Sequence, residues 1–291
     1  MSVEWMAKAR AFNALTKPRL SALSVITGMV GYAVAPSGFE WKTCIGLALG
    51  MSLAAGSAAA LNQWMEHKRD ALMERTCHRP IPSGEIGAGT ALLFGLGIGV
   101  VGLLILQWLT NTLAMTLTLA TLVSYLAVYT PSKSITPWCT AIGTIPGALP
   151  PMIGWAASEG TLAVAAWLLF GLMVAWQIPH FMAIAWTYRE DYAKASLPMI
   201  SVVDGTGRSA AVQSTVFTVL LIFSALGFVW FDVATWVFGA ASLLLGFWML
   251  WLCLQFLLRT ERSLWAKRLF FFTLIYLPIA FGLLVIDVNF L

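Results

Sequence analysis

Charge is scarce in this chain. Acidic and basic side chains together make up 10% of its 291 residues, well below the roughly 25% that lets a soluble domain keep a polar surface. A water-soluble globular fold is therefore excluded. Cysteine is scarce too: Cys44, Cys77, Cys139 and Cys253 show no Cys-x-x-Cys spacing. That argues against a disulfide framework or a zinc site and assigns the thiols to packing as small hydrophobes. A short apolar core with a small-residue cleavage site is also missing near the start. Instead Lys8, Arg10, Lys17 and Arg19 precede a long apolar run, so the expectation is a retained first helix beginning at Pro18.

Apolar sequence fills the remainder. Hydrophobic residues are 59% of the chain and mean hydropathy is +0.83. Windows free of charge run over 20–39, 43–65, 86–132, 134–158, 160–188, 209–231, 233–258 and 269–286. Each suffices for a transmembrane helix of roughly 20 residues, and 86–132 suffices for two. A turn at Thr110-Asn111 divides the double window. The fold class expected is an all-α integral membrane bundle of about nine transmembrane helices, the last being the shortest.

The basic residues then set orientation. Of seventeen Lys and Arg, all but Lys42 fall in segments that nine spans, threaded in order, place on one side. The positive-inside rule makes that side, with the N-terminus, cytoplasmic and puts the C-terminus outside. Residues 1–291 are read as one polytopic domain with a basic cytoplasmic segment over 1–19. The expected location is the cell (inner) membrane of a bacterium.

Against this uncharged background one stretch is dense in charge. Glu66, Lys68, Arg69, Asp70, Glu74, Arg75, Arg79 and Glu85 follow directly on an apolar run. Asn62, Glu66 and Asp70 stand at i, i+4 and i+8, which on a helix stacks three oxygen-bearing side chains on one face. Carboxylates are the hard ligands that Mg²⁺ prefers, and Mg²⁺ commonly bridges to substrate phosphates. The nearby guanidiniums are forks for phosphate oxygens. The plainer alternative is a solvated loop with i, i+4 ion pairs. Asn62, still within the apolar run, favours the functional reading, because polar groups at such depth face cavities.

Elsewhere the informative residues break helices. Arg79-Pro80-Ile81-Pro82-Ser83-Gly84 predicts a fixed turn. Lys133 stands alone in the break at 129–137, where the plain reading is an orientation signal. The span over 134–158 holds Gly143, Pro146, Gly147, Pro150, Pro151 and Gly154, a density tolerated where a helix is buried in protein or lines a cavity. The next carries Trp176-Gln177-Ile178-Pro179-His180-Phe181. Pro179 removes a backbone donor and frees the carbonyl of Ala175. His180 is either a structural hydrogen-bonding group or a ligand inside the bundle. A second charged cluster follows in Arg189-Glu190-Asp191 and Lys194. It lies four spans after the first, which suggests a repeat of topology. Trp230, Trp236, Trp251 and Trp265 suit interfacial belts.

These motifs together resemble a known family. Asn62-x-x-x-Glu66-x-x-x-Asp70 is similar to the first aspartate-rich motif of the UbiA-type intramembrane prenyltransferases, with Gln63 and Glu66 standing where the general motif has Asp. Within that superfamily the chain resembles the heme O synthases, or protoheme IX farnesyltransferases. The blocks that carry the likeness are Asp70-x-x-Met73-x-Arg75-Thr76-x-x-Arg79-Pro80, Tyr129-Thr130-Pro131, Ile145 to Pro151 with Gly154-Trp155, Trp176-Gln177-x-Pro179-His180-Phe181, and Asp191-Tyr192 through Pro198-Met199.

The resemblance implies a UbiA-type bundle with two cytoplasmic Asp/Glu-rich loops and transfer of farnesyl from farnesyl diphosphate to a vinyl group of heme b. It implies Mg²⁺ on Asn62, Glu66 and Asp70 and on Glu190 and Asp191. Arg75, Arg79, Lys133 and Lys194 would then bind diphosphate oxygens. His180 becomes a heme contact or axial ligand, with Trp176, Gln177 and Tyr129 beside the heme. The sequence has no Cys-x-x-Cys-His, so covalent heme attachment is not implied. The partners implied are the two substrates, the lipid bilayer and a downstream heme-modifying enzyme, with no nucleic acid. Two other readings stay open: a UbiA-type enzyme acting on a quinone precursor or chlorin, and a secondary transporter built on broken helices.

Overall fold

The computed structural model describes residues 3–74, 76–194 and 197–291. Among them every regular element is helical: α1 (Val3–Leu15), α2 (Pro18–Val34), α3 (Trp41–Asp70), α4 (Ala88–Leu109), α5 (Thr112–Val123), α6 (Thr130–Ser132), α7 (Cys139–Glu159), α8 (Val164–Thr187), α9 (Arg189–Lys194), α10 (Ile200–Val203), α11 (Arg208–Trp230), α12 (Trp236–Leu258) and α13 (Arg262–Phe290). A π-helical turn, Ser124–Tyr129, joins α5 to α6. Seven helical stretches among the described residues are long and apolar enough to cross a membrane. The all-α membrane class holds. Of the nine expected spans, α2, with 17 residues, and α7, with three internal prolines, are not among the seven.

Two expectations are corrected. The last helix is not the shortest, because α13 runs for 29 residues. Its charges misled the reading by window: Arg262, Lys267 and Arg268 lie in its first turns, and Asp287 lies inside it. The Asp287 carboxylate is buried and accepts from the Thr235 hydroxyl and amide at 2.6 Å and from the Phe238 amide at 3.1 Å. It thus satisfies the open N-terminus of α12. The second acidic cluster, expected in a loop, also stands on a helix, with Glu190 and Asp191 on α9, whereas Asn62, Glu66 and Asp70 share the end of α3 as their spacing expects.

The chain divides into two compact units, Met1–Thr130 with Ile153–Thr161, and Pro131–Met152 with Leu162–Leu291. In the first, α3 packs along α4 and also meets α1, α2 and α5. Small residues set that spacing, as membrane helices without a hydrophobic driving force between them require. A Cβ on Gly50 would lie 2.5 Å from Leu106, and one on Gly99 2.6 Å from the Ser57 hydroxyl. That hydroxyl donates to the Gly95 carbonyl at 2.7 Å. The expected break falls between α4 and α5, where the Asn111 side chain caps α5 by accepting from the Ala114 amide. The basic N-terminal segment is itself a helix. Ala11 and Leu15 of α1 are buried with Ala60, Ile81, Ile86 and Ala91.

In the second unit α8 packs against α11 and α13, and α12 packs against both of those. The α7 segment of this unit meets α8 where Gly147 faces Gln177. The Gln177 amide donates to the carbonyls of Thr144 (3.3 Å) and Met173 (3.2 Å), and a Cβ on Gly147 would collide with its Oε1. Trp230 and Trp236 are exposed at helix ends, as interfacial residues are. All four cysteines are free.

Candidate active-site residues

The first set of candidates stands on the end of α3. Thirty helical residues span about 45 Å, against roughly 30 Å for the hydrocarbon core of a bilayer, so the polar end from Asn62 onward extends past the apolar length. Asn62 and Asp70 are buried, each 2% exposed. Beyond Asp70 the chain turns back on itself. The Thr76 hydroxyl donates to the Asp70 carbonyl at 2.9 Å, and the Arg79 amide donates to the Thr76 carbonyl at 3.0 Å. This return brings Arg79 to Asp70: Nη1 donates to Oδ2 at 2.5 Å, with Arg79 still 24% exposed. Glu66 pairs weakly with Arg69 at 3.9 Å.

Asn62 has a partner that sequence reasoning missed. Its Nδ2 donates to Thr130 Oγ1 at 3.1 Å. The π-helical turn creates this contact, because Thr130 donates back five residues to the Tyr125 carbonyl at 2.9 Å. Tyr125 and Tyr129 lie 5.4 Å apart on the same turn. Gln63, at a family Asp position, has a different task. Its amide donates to the Leu15 carbonyl at 2.8 Å and ties α1 to α3. Arg75 lies outside the described residues.

The second set belongs to the other unit. On α8, Trp176 stacks on His180 with centroids 4.9 Å apart and planes at 18°. Both reach Thr273 of α13: Trp176 Nε1 donates to its carbonyl at 2.9 Å, and His180 Nδ1 lies 2.8 Å from its hydroxyl. Thr273 was not legible as part of this group. Phe270 lies 5.3 Å from the imidazole. On α9, Glu190, Asp191 and Lys194 are exposed, and Glu190 pairs with Arg189 at 3.4 Å. The Arg189 guanidinium sits 4.5 Å over the Trp186 ring. Lys133 is half-buried beyond α6.

Among the described residues no three of His, Cys, Asp and Glu converge as a ready-made metal cage. The donors on α3 instead fit the way Mg²⁺ is usually held, by one or two carboxylates with substrate phosphates completing the shell. Glu66, Asp70 and the Asn62 carbonyl oxygen are hard oxygen donors spaced one helical turn apart. Arg79 already neutralises part of the Asp70 charge.

The chain is similar to several known proteins. A protoheme IX farnesyltransferase from Opitutus terrae is 45% identical over 98% of this chain and 97% of its own length. One from Solibacter usitatus is 38% identical over 96% and 98%. Among solved structures, a digeranylgeranylglyceryl phosphate synthase superposes with a TM-score of 0.82 at 14% identity, covering 98% of this chain and 99% of that one. A UbiA homologue from Archaeoglobus fulgidus bound to GPP and Mg²⁺ superposes with a TM-score of 0.63 at 16% identity, over 95% and 99%. The model of the UbiA prenyltransferase family matches residues 24–275, from α2 to α13 and across both sets of candidate residues, and the chain belongs to that family.

Proposed function

We propose that this protein transfers a farnesyl group from farnesyl diphosphate to a vinyl group of heme b, giving heme O and diphosphate. The observation that carries the reading is full-length likeness to protoheme IX farnesyltransferases at up to 45% identity, joined to an acceptor face on α3 suited to a metal–diphosphate pair. The allylic C–O bond breaks with its electron pair leaving on diphosphate. The vinyl π-electrons attack the farnesyl cation, and water captures the resulting cation beside the porphyrin, losing a proton to leave a hydroxyl.

Each residue has a part in this reading. Glu66 and Asp70, with Asn62, would hold Mg²⁺, a role in keeping with a UbiA homologue of the same fold that is bound to GPP and Mg²⁺. When bound, the ion supplies charge neutralisation for the departing diphosphate. Arg79 both orients Asp70 and carries hydrogen bonds for phosphate oxygens. Arg75, Lys133 and Lys194 are assigned the same role, and Glu190 and Asp191 a second acidic site. The Pro-rich α7, whose Ala148, Met152, Ile153 and Trp155 are buried, would wall a dry space that keeps water from the first cation. His180 is assigned to the heme iron, with Trp176, Gln177 and Tyr129 as heme contacts. The topology proposed is nine spans, α2 and α7 included, with the basic segments and N-terminus cytoplasmic and the whole chain one functional domain of the inner membrane.

The deciding experiment extracts pigment from membranes with and without the protein after supply of heme b and farnesyl diphosphate. A heme heavier by one farnesyl and one hydroxyl group is expected. Unchanged heme beside a prenylated quinone would overturn the reading.

A further inference from the structure

We propose that Thr273 is a positioning residue which locks His180 in the Nδ1–H tautomer and so presents the Nε2 lone pair as the ligating atom. The assignment of that lone pair to heme iron rests on the function proposed above. The tautomer itself does not.

The argument is a count of protons. Thr273 is fully buried, and its hydroxyl has one proton to give. Oγ1 lies 2.6 Å from the Phe270 carbonyl, which can only accept. The proton is therefore committed to Phe270. The same oxygen stands 2.8 Å from His180 Nδ1, and with its proton spent it can only accept there. Nδ1 must carry hydrogen, and in a neutral imidazole that leaves Nε2 as a bare lone pair. The opposite tautomer would set two lone pairs against each other at 2.8 Å, or would strip the Phe270 carbonyl of its bond.

The ring is held as well as protonated. Trp176 stacks on it at 4.9 Å and is anchored by its own indole N–H to the Thr273 carbonyl at 2.9 Å. One residue of α13 thus fixes the tautomer through its side chain and the stacking partner through its backbone. Nε2 makes no hydrogen bond among the described residues and is not among the buried atoms left without a partner. A ring nitrogen whose opposite N–H is tied to a protein acceptor is the usual form of a metal-ligating histidine, and such outer partners commonly carry 10–100-fold of metal affinity. Imidazole is a common proximal ligand of heme iron.

The tautomer is testable without heme. In a His67→Gln, His78→Gln background His180 is the sole histidine. ¹⁵N-histidine labelling and solid-state NMR in liposomes should find the proton on Nδ1. A proton on Nε2 overturns the proposal. With heme b added to purified protein, His180→Ala should abolish the ferrous iron–histidine stretching band in resonance Raman. Thr273→Val, which keeps shape but removes the acceptor, should shift that band and weaken heme affinity about tenfold or more, and Thr273→Ser should restore both. A Thr273→Val protein that matches wild type while His180→Ala loses the band overturns the positioning role and leaves the ligand standing. A His180→Ala protein with unchanged heme spectrum overturns the ligand assignment, and the NMR result then stands alone. Should Thr273→Val fail to fold, Thr273→Ser and the NMR measurement still decide the tautomer.

Discussion

Asn62 Nδ2 donates to Thr130 Oγ1 at 3.1 Å across 68 residues of sequence. Thr130 in turn gives its own proton to the Tyr125 carbonyl at 2.9 Å, so its oxygen can only accept from Asn62. The amide is thereby oriented with nitrogen toward Thr130 and oxygen turned away from it, available as a donor to a cation. A π-helical turn, a feature that recurs at functional sites, is what carries Thr130 to that place. In the other unit His180 and Thr273 are related in the same way. In both, a threonine whose proton is spent on a backbone carbonyl dictates which atom of a polar side chain, buried in Asn62 and half-buried in His180, is left open.

Thr130→Val should therefore lower turnover without removing Asn62. An unsatisfied buried amide costs about 1–3 kcal/mol, so a loss of roughly five- to 100-fold in kcat/KM is expected, with Thr130→Ser close to wild type. Steady-state heme O formation by the purified variants checks this. Wild-type turnover by the Val variant beside a loss in the Ser variant would mean that the methyl group matters and the hydroxyl does not.

Asp70→Asn keeps the shape of the side chain but removes the charge that both Arg79 and a metal ion need. Turnover should fall by about 100-fold or more, even at saturating Mg²⁺. Removing one partner of a buried ion pair is destabilising, though Arg79 at 24% exposed recovers solvation, so the protein should still be found folded in the membrane. Near-normal activity would return Asp70 to a structural role.

Gln63 offers the opposite test. It stands where the family motif has an acid, yet its amide is spent on the Leu15 carbonyl. Gln63→Ala should cost about 1–2 kcal/mol and loosen α1, so that a thiol placed at buried Ala11 becomes reactive. Chemistry should change little. A large loss of activity with α1 still protected would make Gln63 part of the diphosphate site after all.

Much of this arrangement was legible from sequence, for reasons that separate local from distant causes. The division at Thr110-Asn111 was readable because Asn111 caps its own helix. The close approach of α3 was readable from its run of small residues, and the acceptor face from spacing alone. The length of α13 was not, because window reading treats charge as a boundary, whereas Asp287 is paid for by three donors from the start of α12. Thr130 and Thr273 were invisible for a different reason. Each acts on a residue 68 or 93 positions away, and nothing in the composition around either threonine marks it.

Asp204 supplies a pH test outside the membrane-spanning helices. Partial burial raises its pKa, but hydrogen bonds from Thr206 and from Ser209 at the start of α11 outweigh this and hold it well below the usual carboxylate range. A depressed folded pKa contributes stability that is complete above the unfolded value of about 3.9 and is lost as pH falls through the folded one. The first turn of α11 should thus keep its amide protection from neutral pH down to about 4 and lose it only in stronger acid. Asp204→Ala should show that loss already at pH 7. Hydrogen exchange at Ser209 to Ala211 reads both, and protection insensitive to the substitution would mean that Asp204 does not hold this turn.

Gly154 bears on whether α7 is a packed wall or a loosely held break. Its neighbour Trp155 is 5% exposed and Ala156 fully buried, and Asn111 donates to the Ala156 carbonyl at 2.7 Å, so this part of α7 is held in place. A Cβ added at Gly154 would collide with the Gly28 carbonyl and press on the Tyr32 amide, both of them α2 backbone. A side-chain tip can swing aside, but the backbone of a helix can yield only if α2 and α7 move apart. Overpacking of this kind costs about 1–3 kcal/mol or more. Gly154→Ala should lower thermal stability in detergent and reduce activity, while Gly89→Ala, which meets nothing within 4 Å, should leave both unchanged. If the two alanine variants melt together, α7 does not press on α2 at Gly154, and the wall assigned to it in the reaction loses its structural basis.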